Sequence, residues 1–439
     1  MAKETIFETV HEKVAGIDIG AEKIFVSPDG KEVVSFDTFT SSYHECAAYL
    51  KEKGIKKVAM EATGVYWIAL YFLLEELGMM VCLVNPKETK QVKGRKTDVK
   101  DCQWIQKLFS AGILRHSFIP EGKYMELRLL VRERLDIIDM GSTYVNKMQK
   151  CLELMNIKLK QVISQIHGVS GIKMIKAIIA GTRQSDLLLN LCDERIRKNK
   201  GELVLKALEG NYNDTYLFML QQNMELWEIH QYRVENIDVR IAQLLDELSV
   251  DKEEIPVGKA KQIRHHAPRI SGLHDTMARL YGADLSSISG INDYTALRLI
   301  GETGTDMGRF ENAKSFVSWM GLSPKVHRSG KLNKRVRGTP CNHAGQIFKE
   351  CAQGLINSRH IAIGSFMRKL RGRRDSAIAI KAGARKLAIA YYNVLTKGTA
   401  YVEQGIKQYD EQIKHREIIS LKKLAKKHNM QIIENQLTV

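Results

Sequence analysis

Apolar and polar positions repeat along this chain with two different periods, and the change of period divides it. From Lys13 to about Pro120, short β-rich runs alternate with amphipathic segments. Val14–Gly20, Ile24–Ser27 and Val33–Phe39 predict three successive strands, with Pro28-Asp29-Gly30 as the turn between the second and third. Next come a helical spacing over Ser41–Lys53, a strand-like Lys57–Ala62, a helix over Val65–Leu77 ended by Gly78, and a buried strand at Met80–Val84. Asp98–Ala111 closes the series as a helix with Gly112 after it. Three strands followed by alternating helices and strands specify a mixed α/β sheet, whose strand ends are the usual place for a site.

Beyond Pro120 the period is helical. Tyr124 to about Leu159 contains no proline and repeats apolar positions every three or four residues, which predicts one long helix, suited to half of a dimerising coiled coil. Leu187–Leu248 continues the pattern around a loop near Gly210–Asp214 and reads as scaffold or nucleic-acid-contacting helices. Pro256, Gly258 and Pro268 place a boundary or exposed loop between Val250 and His274. Leu285–Ala296 reads as helix, glycine turn, helix. Such a hairpin resembles the helix-hairpin-helix modules of DNA-repair proteins and can aim backbone N–H groups at a phosphate; a plain helix connection is the alternative. Pro340–Ile356 and Ser376–Leu395 predict helices with alanine-rich apolar faces, and Leu421–Lys427 an exposed amphipathic helix.

Length and charge narrow the class. A chain of 439 residues holds about two or three domains, and its 44% hydrophobic and 27% charged content is that of an ordinary soluble globular protein. The formal net charge of +17 favours a polyanionic partner, because each neutralised phosphate releases counterions whatever the base sequence. An anionic membrane surface is the other partner such a charge suits. Cys46, Cys82, Cys102, Cys151, Cys192, Cys341 and Cys351 include no CxxC pair, which argues against a disulfide framework or structural zinc and for a reducing cytosol. Cys341 and Cys351 read as buried thiols. Met1–Thr5 leads into mixed charged residues, and Val65–Leu74, the most apolar stretch, has about half the length of a spanning helix. Neither secretion nor a membrane span is expected.

Candidate chemistry centres on Lys96-Thr97-Asp98-Val99-Lys100-Asp101. On a helix, Asp98 and Asp101 leave the same face, close enough to share a cation. Two upstream acids can join them: Asp18, and Glu61 in Met60-Glu61-Ala62-Thr63-Gly64. Each ends a short apolar run, where a buried strand would present one polar side chain at its tip. Taken singly, each has an ordinary role. Asp18 could cap a turn, Glu61 could pair with a base, and Asp98 could be a helix N-cap with Asp101 in the first turn. Together, converging carboxylates repel one another and persist only if divalent cations neutralise them; oxygen-only ligands favour magnesium or manganese. Two such ions can polarise a scissile phosphate and stabilise the entering and leaving oxygens.

In order and spacing, Gly16-Ile17-Asp18-Ile19-Gly20, Met60-Glu61-Ala62-Thr63-Gly64, Asn85-Pro86 and Lys96–Asp101 resemble the RNase H-like fold of the RuvC class. More closely, they resemble the DEDD transposases of the insertion-sequence one-ten and eleven-eleven family, described as guide-RNA-directed (bridge RNA) recombinases. The run Phe316–Lys331 is similar to that family's C-terminal transposase domain, where an aromatic-containing helix ends in a Gly-Leu-x-Pro turn and a Ser-Gly-Lys loop follows. The resemblance implies Asp18, Glu61, Asp98 and Asp101 as metal ligands, Ser329 as nucleophile, a covalent phosphoserine intermediate and strand exchange. It also implies a structured RNA whose loops pair with donor and target DNA, so that the protein reads only backbone and shape. Family members often carry a paired serine and a paired glycine in this loop; here there is one of each, and Ser323 is the rival nucleophile.

Lys325, Arg328, Lys331, Lys334, Arg335 and Arg337 crowd around Ser329 with no acid between them. Such cations would hold a scissile phosphate and favour ionisation of the hydroxyl, although a solvated basic loop could simply grip backbone phosphate. Arg368, Lys369, Arg371, Arg373 and Arg374 form a second cluster expected to face nucleic acid. The expected organisation is a RuvC-like catalytic domain over 1–120, a helical or coiled-coil linker with an insertion over 121–255, a C-terminal transposase domain over 256–400, and a basic helical tail over 401–439. The expected protein is a prokaryotic, cytoplasmic, nucleoid-associated insertion-sequence transposase. It would work as a dimer or tetramer, because exchanging two duplexes needs several cuts. A metal-dependent junction resolvase or nuclease using water, and a non-enzymatic nucleic-acid-binding scaffold, are the rival readings.

Overall fold

β-branched and aliphatic runs of the first part pair into one sheet: β1 (Val14–Ile19), β2 (Lys23–Ser27), β3 (Val34–Asp37), β4 (Lys57–Glu61) and β5 (Met80–Val84). The computed structural model describes residues 8–89, 98–120, 122–263, 265–324, 326–329, 332–335, 340–358 and 361–430. It divides the chain into two units, Met1–Ile119 and Pro120–Val439. In the first, the strand order is β3-β2-β1-β4-β5, antiparallel from β3 to β1 and parallel from β1 to β5. This is the predicted mixed α/β sheet, in an RNase H-like order. Between the strands lie α1 (Thr40–Glu52) and α2 (Trp67–Glu76); α3 (Pro86–Thr89) and α4 (Asp98–Ser110) follow them. Helix α2 starts two residues later than its apolar pattern predicts. Gly64, at φ 54°, turns the chain first, and the Trp67 indole closes that turn by donating to the Gly64 carbonyl at 3.1 Å.

Alternation along β1 and β4 sends Val14, Gly16 and Asp18, with Ala59 and Glu61, to one face. There Val14, Ala59, Cys82 and Val84 bury against Ile105 and Phe109 of α4. Gly16 lets the helix come down onto the strand, because a Cβ there would lie 2.3 Å from both the Cys102 carbonyl oxygen and the Gln106 amide nitrogen. The Gln106 side chain then donates to the Val14 carbonyl at 3.3 Å, tying helix to strand. The opposite face, with Ala15, Ile17, Ile19, Val58 and Met60 fully buried, is apolar without interruption.

The second unit is mostly helical: α5 (Lys123–Leu154), α6 (Leu159–Val162), α7 (Val169–Ile179), α8 (Ser185–Asn190), α9 (Glu194–Ala207), α10 (Asp214–Ser249), α11 (Leu273–Tyr281), α12 (Asp293–Thr303), α13 (Ala313–Trp319), α14 (His343–Leu355), α15 (Ala362–Arg373), α16 (Ser376–Lys397) and α17 (Thr399–Lys427). Among the described residues, β6 (Val326–Ser329) and β7 (Leu332–Arg335) form an antiparallel pair. Helix α5 stops at Leu154 instead of running to Leu159. Asn156 turns left-handed at φ 56°, and the amides of Asn156 and Ile157 return to the carbonyls of Glu153 and Leu152. The ends of α5 and α10 enclose α6 to α9 around a core that includes Met148, Leu152, Met174, Ile175 and Leu220. Among the described residues no helix is long and apolar enough to cross a membrane. Cys341 and Cys351 are half-buried rather than buried.

Candidate active site

Ile17 pairs with Met60 across the parallel β1–β4 ladder, so Asp18 and Glu61 are the next residues along on neighbouring strands and share a face. Helix α4, laid over Gly16, adds Asp101. Asp18, Glu61 and Asp101, all half-buried, line one cavity of about 740 Å³ together with Lys23, Thr63 and Pro86. Asp98 opens α4, and its side chain lies outside the described residues.

Glu61 Oε2 accepts the Thr89 hydroxyl at 2.6 Å, while the Thr63 hydroxyl lies 3.4 Å from Oε1. Cys102, the residue after Asp101, is fully buried. Burial pushes its thiol up to about 12, and the charges of Asp18 and Asp101 add to the effect, so the fields of both acids reach the same sulfur. Cys102 does not line the cavity. The donors around the cavity are therefore carboxylate and hydroxyl oxygens, which suit a hard cation. Among the described residues no three His, Cys, Asp or Glu side chains close into a ligand cluster by themselves. Separated carboxylates on an open cavity fit a cation that keeps several of its waters, as magnesium does.

Sequence reasoning named the acids but missed Thr89, Thr63 and Lys23. Thr63 stands two residues beyond Glu61 and was legible as a short polar side chain next to a strand tip. Thr89 lies 28 residues from its partner, and nothing local announces the contact.

The serine segment proves to be a hairpin. Ser329 is the last residue of β6 and pairs with Leu332, the first of β7. Gly321, at φ 70°, anchors the segment's base, because a Cβ there would meet the Pro340 carbonyl oxygen at 2.5 Å. Ser323 is half-buried just after that turn. Lys325, Lys331 and Arg337 lie outside the described residues, as do the side chains of Arg328, Ser329, Lys334 and Arg335. The Asn342 carboxamide caps α14 by accepting the Gly345 amide at 2.9 Å, which starts that helix at His343 rather than Pro340.

Residues 15–157 match the IS110 DEDD family model, described as a transposase, and residues 282–362 match the model described as the IS116/IS110/IS902 transposase family. The chain belongs to the IS110 transposase family. The two matched stretches together cover just over half of it, the first containing Asp18, Glu61, Asp98 and Asp101 and the second Ser329. No curated protein matches the chain.

As an IS110-family transposase the protein acts on DNA, and the remaining sequence-predicted contacts can be located on it. Arg371, Arg373 and Arg374 are exposed at the end of α15. Arg368, one turn earlier, is half-buried, and its guanidinium donates to the carbonyls of Ile356 and Ser358 just past α14. The 285–296 segment differs from its prediction. Leu285–Ser287 is a single 3-10 turn, because Asp284 takes the Ser286 amide at 2.8 Å and the Ser287 hydroxyl bonds back to the Asp284 carbonyl at 2.8 Å. A turn with Gly290 at φ 86° leads into α12, whose cap is Asn292. Lys261 Nζ donates to the Ile288 and Ile291 carbonyls at 3.0 and 3.2 Å and so pins the turn from below.

Proposed function

We propose that this transposase cuts and rejoins DNA with Asp18, Glu61, Asp98 and Asp101 as the holders of a divalent cation and Ser329 as the attacking group. The observation that carries the reading is the cavity itself. Acids 43 and 40 positions apart in sequence line one space at the tips of β1 and β4 and on α4. Magnesium or manganese bound there would neutralise the carboxylates and polarise a phosphate oxygen. The chain's own part is to fix those oxygens and to present a hydroxyl. Ser329 Oγ forms a bond to phosphorus, the sugar oxygen it displaces leaves, and the phosphoserine so made is resolved when a second strand's hydroxyl attacks and releases the serine. Lys325, Arg328, Lys331, Lys334, Arg335 and Arg337 would hold the phosphate during both exchanges.

A structured guide RNA would supply the sequence reading. The net charge of +17 and the exposed Arg371, Arg373 and Arg374 support a polyanion gripped through its backbone. The organisation that goes with this reading is a catalytic domain to about residue 120, a helical linker with an insertion, a transposase domain and a basic tail, working as a dimer or tetramer.

Strand cleavage by Ser329→Ala tests the nucleophile. The serine reading expects loss both of cutting and of any covalent protein–DNA adduct. Cutting that persists with a covalent adduct would transfer the attack to Ser323; cutting that persists without one would transfer it to water and make the protein a metal-dependent nuclease or resolvase. RNA that copurifies with the protein and derives from sequence flanking its coding region would support the guide. Its absence would remove it.

A further inference from the structure

We propose that Thr89, held by the Trp104 indole, is a positioning residue for Glu61 in the acidic cavity; the inference rests on the metal reading above and deepens it. Thr89 ends α3 and is only 8% exposed. Its hydroxyl oxygen lies 2.6 Å from Glu61 Oε2 and 3.0 Å from the Pro86 carbonyl. A hydroxyl has one proton to give, and the ionised carboxylate, nearer and charged, takes it. Trp104 Nε1 in turn donates to the Thr89 carbonyl at 3.3 Å. Trp104 follows Asp101 by three residues on α4, so one helix carries both a cavity acid and the group that grips the Thr89 backbone.

The contact is not needed to complete the sheet. The β4–β5 ladder runs to Glu61–Val84, and the Ala62 amide already reaches the Val84 carbonyl at 2.9 Å. What Thr89 adds is control of a long side chain. Glutamate at a strand tip has several rotatable bonds, and the like charges of Asp18 and Asp101 on the same cavity push it outward. A buried hydroxyl bonded to one oxygen opposes that push and leaves lone pairs on both oxygens available to a cation. Groups that orient a metal-binding carboxylate in this way typically change metal affinity about 10- to 100-fold when removed.

The test is a manganese titration of the full-length protein without DNA, with free Mn2+ followed by electron paramagnetic resonance. Thr89→Val should weaken binding about 10-fold or more, and Thr89→Ser, which keeps the hydroxyl, should bind as the wild type does. Trp104→Phe, which removes the indole N–H together with one of the two fused rings, should fall between them. Melting of each variant in EDTA separates positioning from folding, since the proposal expects Thr89→Val and Thr89→Ser to melt alike while differing in affinity. Affinity lost in Glu61→Gln but kept in Thr89→Val would overturn the relay alone. Equal affinity in wild type and Glu61→Gln would remove the metal reading and the relay with it.

Discussion

Buried acids of the second unit and the cavity acid Glu61 of the first are answered in different ways. In the second, Asp238 is 1% exposed and takes the Arg134 guanidinium on both oxygens, at 2.5 and 3.2 Å, with the Arg269 amide on Oδ2 at 2.9 Å. Glu302, also buried, receives Arg132 in a bidentate pair at 2.8 and 2.9 Å. Nearby Arg128, its pKa brought down to about 10 by burial, donates to the Gly301 and Glu302 carbonyls at the end of α12. Asp293 meets His274 Nδ1 at 2.8 Å. In the first unit, Asp18, Glu61 and Asp101 line an open cavity, and among the described residues Glu61 is bonded by hydroxyls rather than by cations. A closed pair answers a buried charge inside the protein and fixes how α5, α10 and α12 pack. Glu61, bonded by threonine hydroxyls, keeps its charge for something that comes from outside.

The comparison can be broken or sharpened by substitution. A large effect on cleavage is expected from Gly16→Ala, which touches no acid. Its methyl would collide with the α4 backbone, so the helix and Asp101 must shift; cleavage should fall about 100-fold and stability by about 1–3 kcal/mol, read by strand-cleavage rate and chemical denaturation. Asp238→Ala leaves Arg134 buried without its counter-ion and should cost about 3–5 kcal/mol in the same denaturation measurement.

His274→Gln should show a smaller, pH-dependent loss. Burial works against the imidazolium, but the Asp293 hydrogen bond and charge, the Gly258 carbonyl and the Asp284 charge outweigh it, and the pKa is raised. A raised pKa stabilises the fold fully below the ordinary imidazole value, about 6.5, and that gain disappears as pH rises through the folded value. Melting curves should therefore separate wild type and variant most in mild acid and bring them together in base. Smallest of all, Glu61→Gln keeps an oxygen for the Thr89 hydroxyl, and in EDTA its stability should stay within about 0.5 kcal/mol of wild type.

Much of the first unit was legible because its strands and helices are written in period. β1, β4 and β5 are apolar runs, and Asp18 and Glu61 stand where those runs stop. Gly16 was legible as a motif, yet its reason is the α4 backbone lying on it, which only the folded chain displays. Thr89 and Trp104 escaped because their contacts join separate elements. The hairpin of β6 and β7 read as a loop, since lysine and arginine occupy both alternating sets of positions and leave no apolar face to mark a strand. The 3-10 turn at Leu285 escaped for a local reason: Asp284 and two serines satisfy one another before a helix can start.

The central claim is that acids distant in sequence form one cation-holding cavity on which cutting depends. Its most direct measurement is magnesium-dependent strand cleavage by Asp18→Ala and Glu61→Ala, with RNA binding followed on the same preparations. Cleavage should disappear in both while RNA binding stays close to wild type. Full cleavage by either variant would contradict the claim and take that acid out of the site.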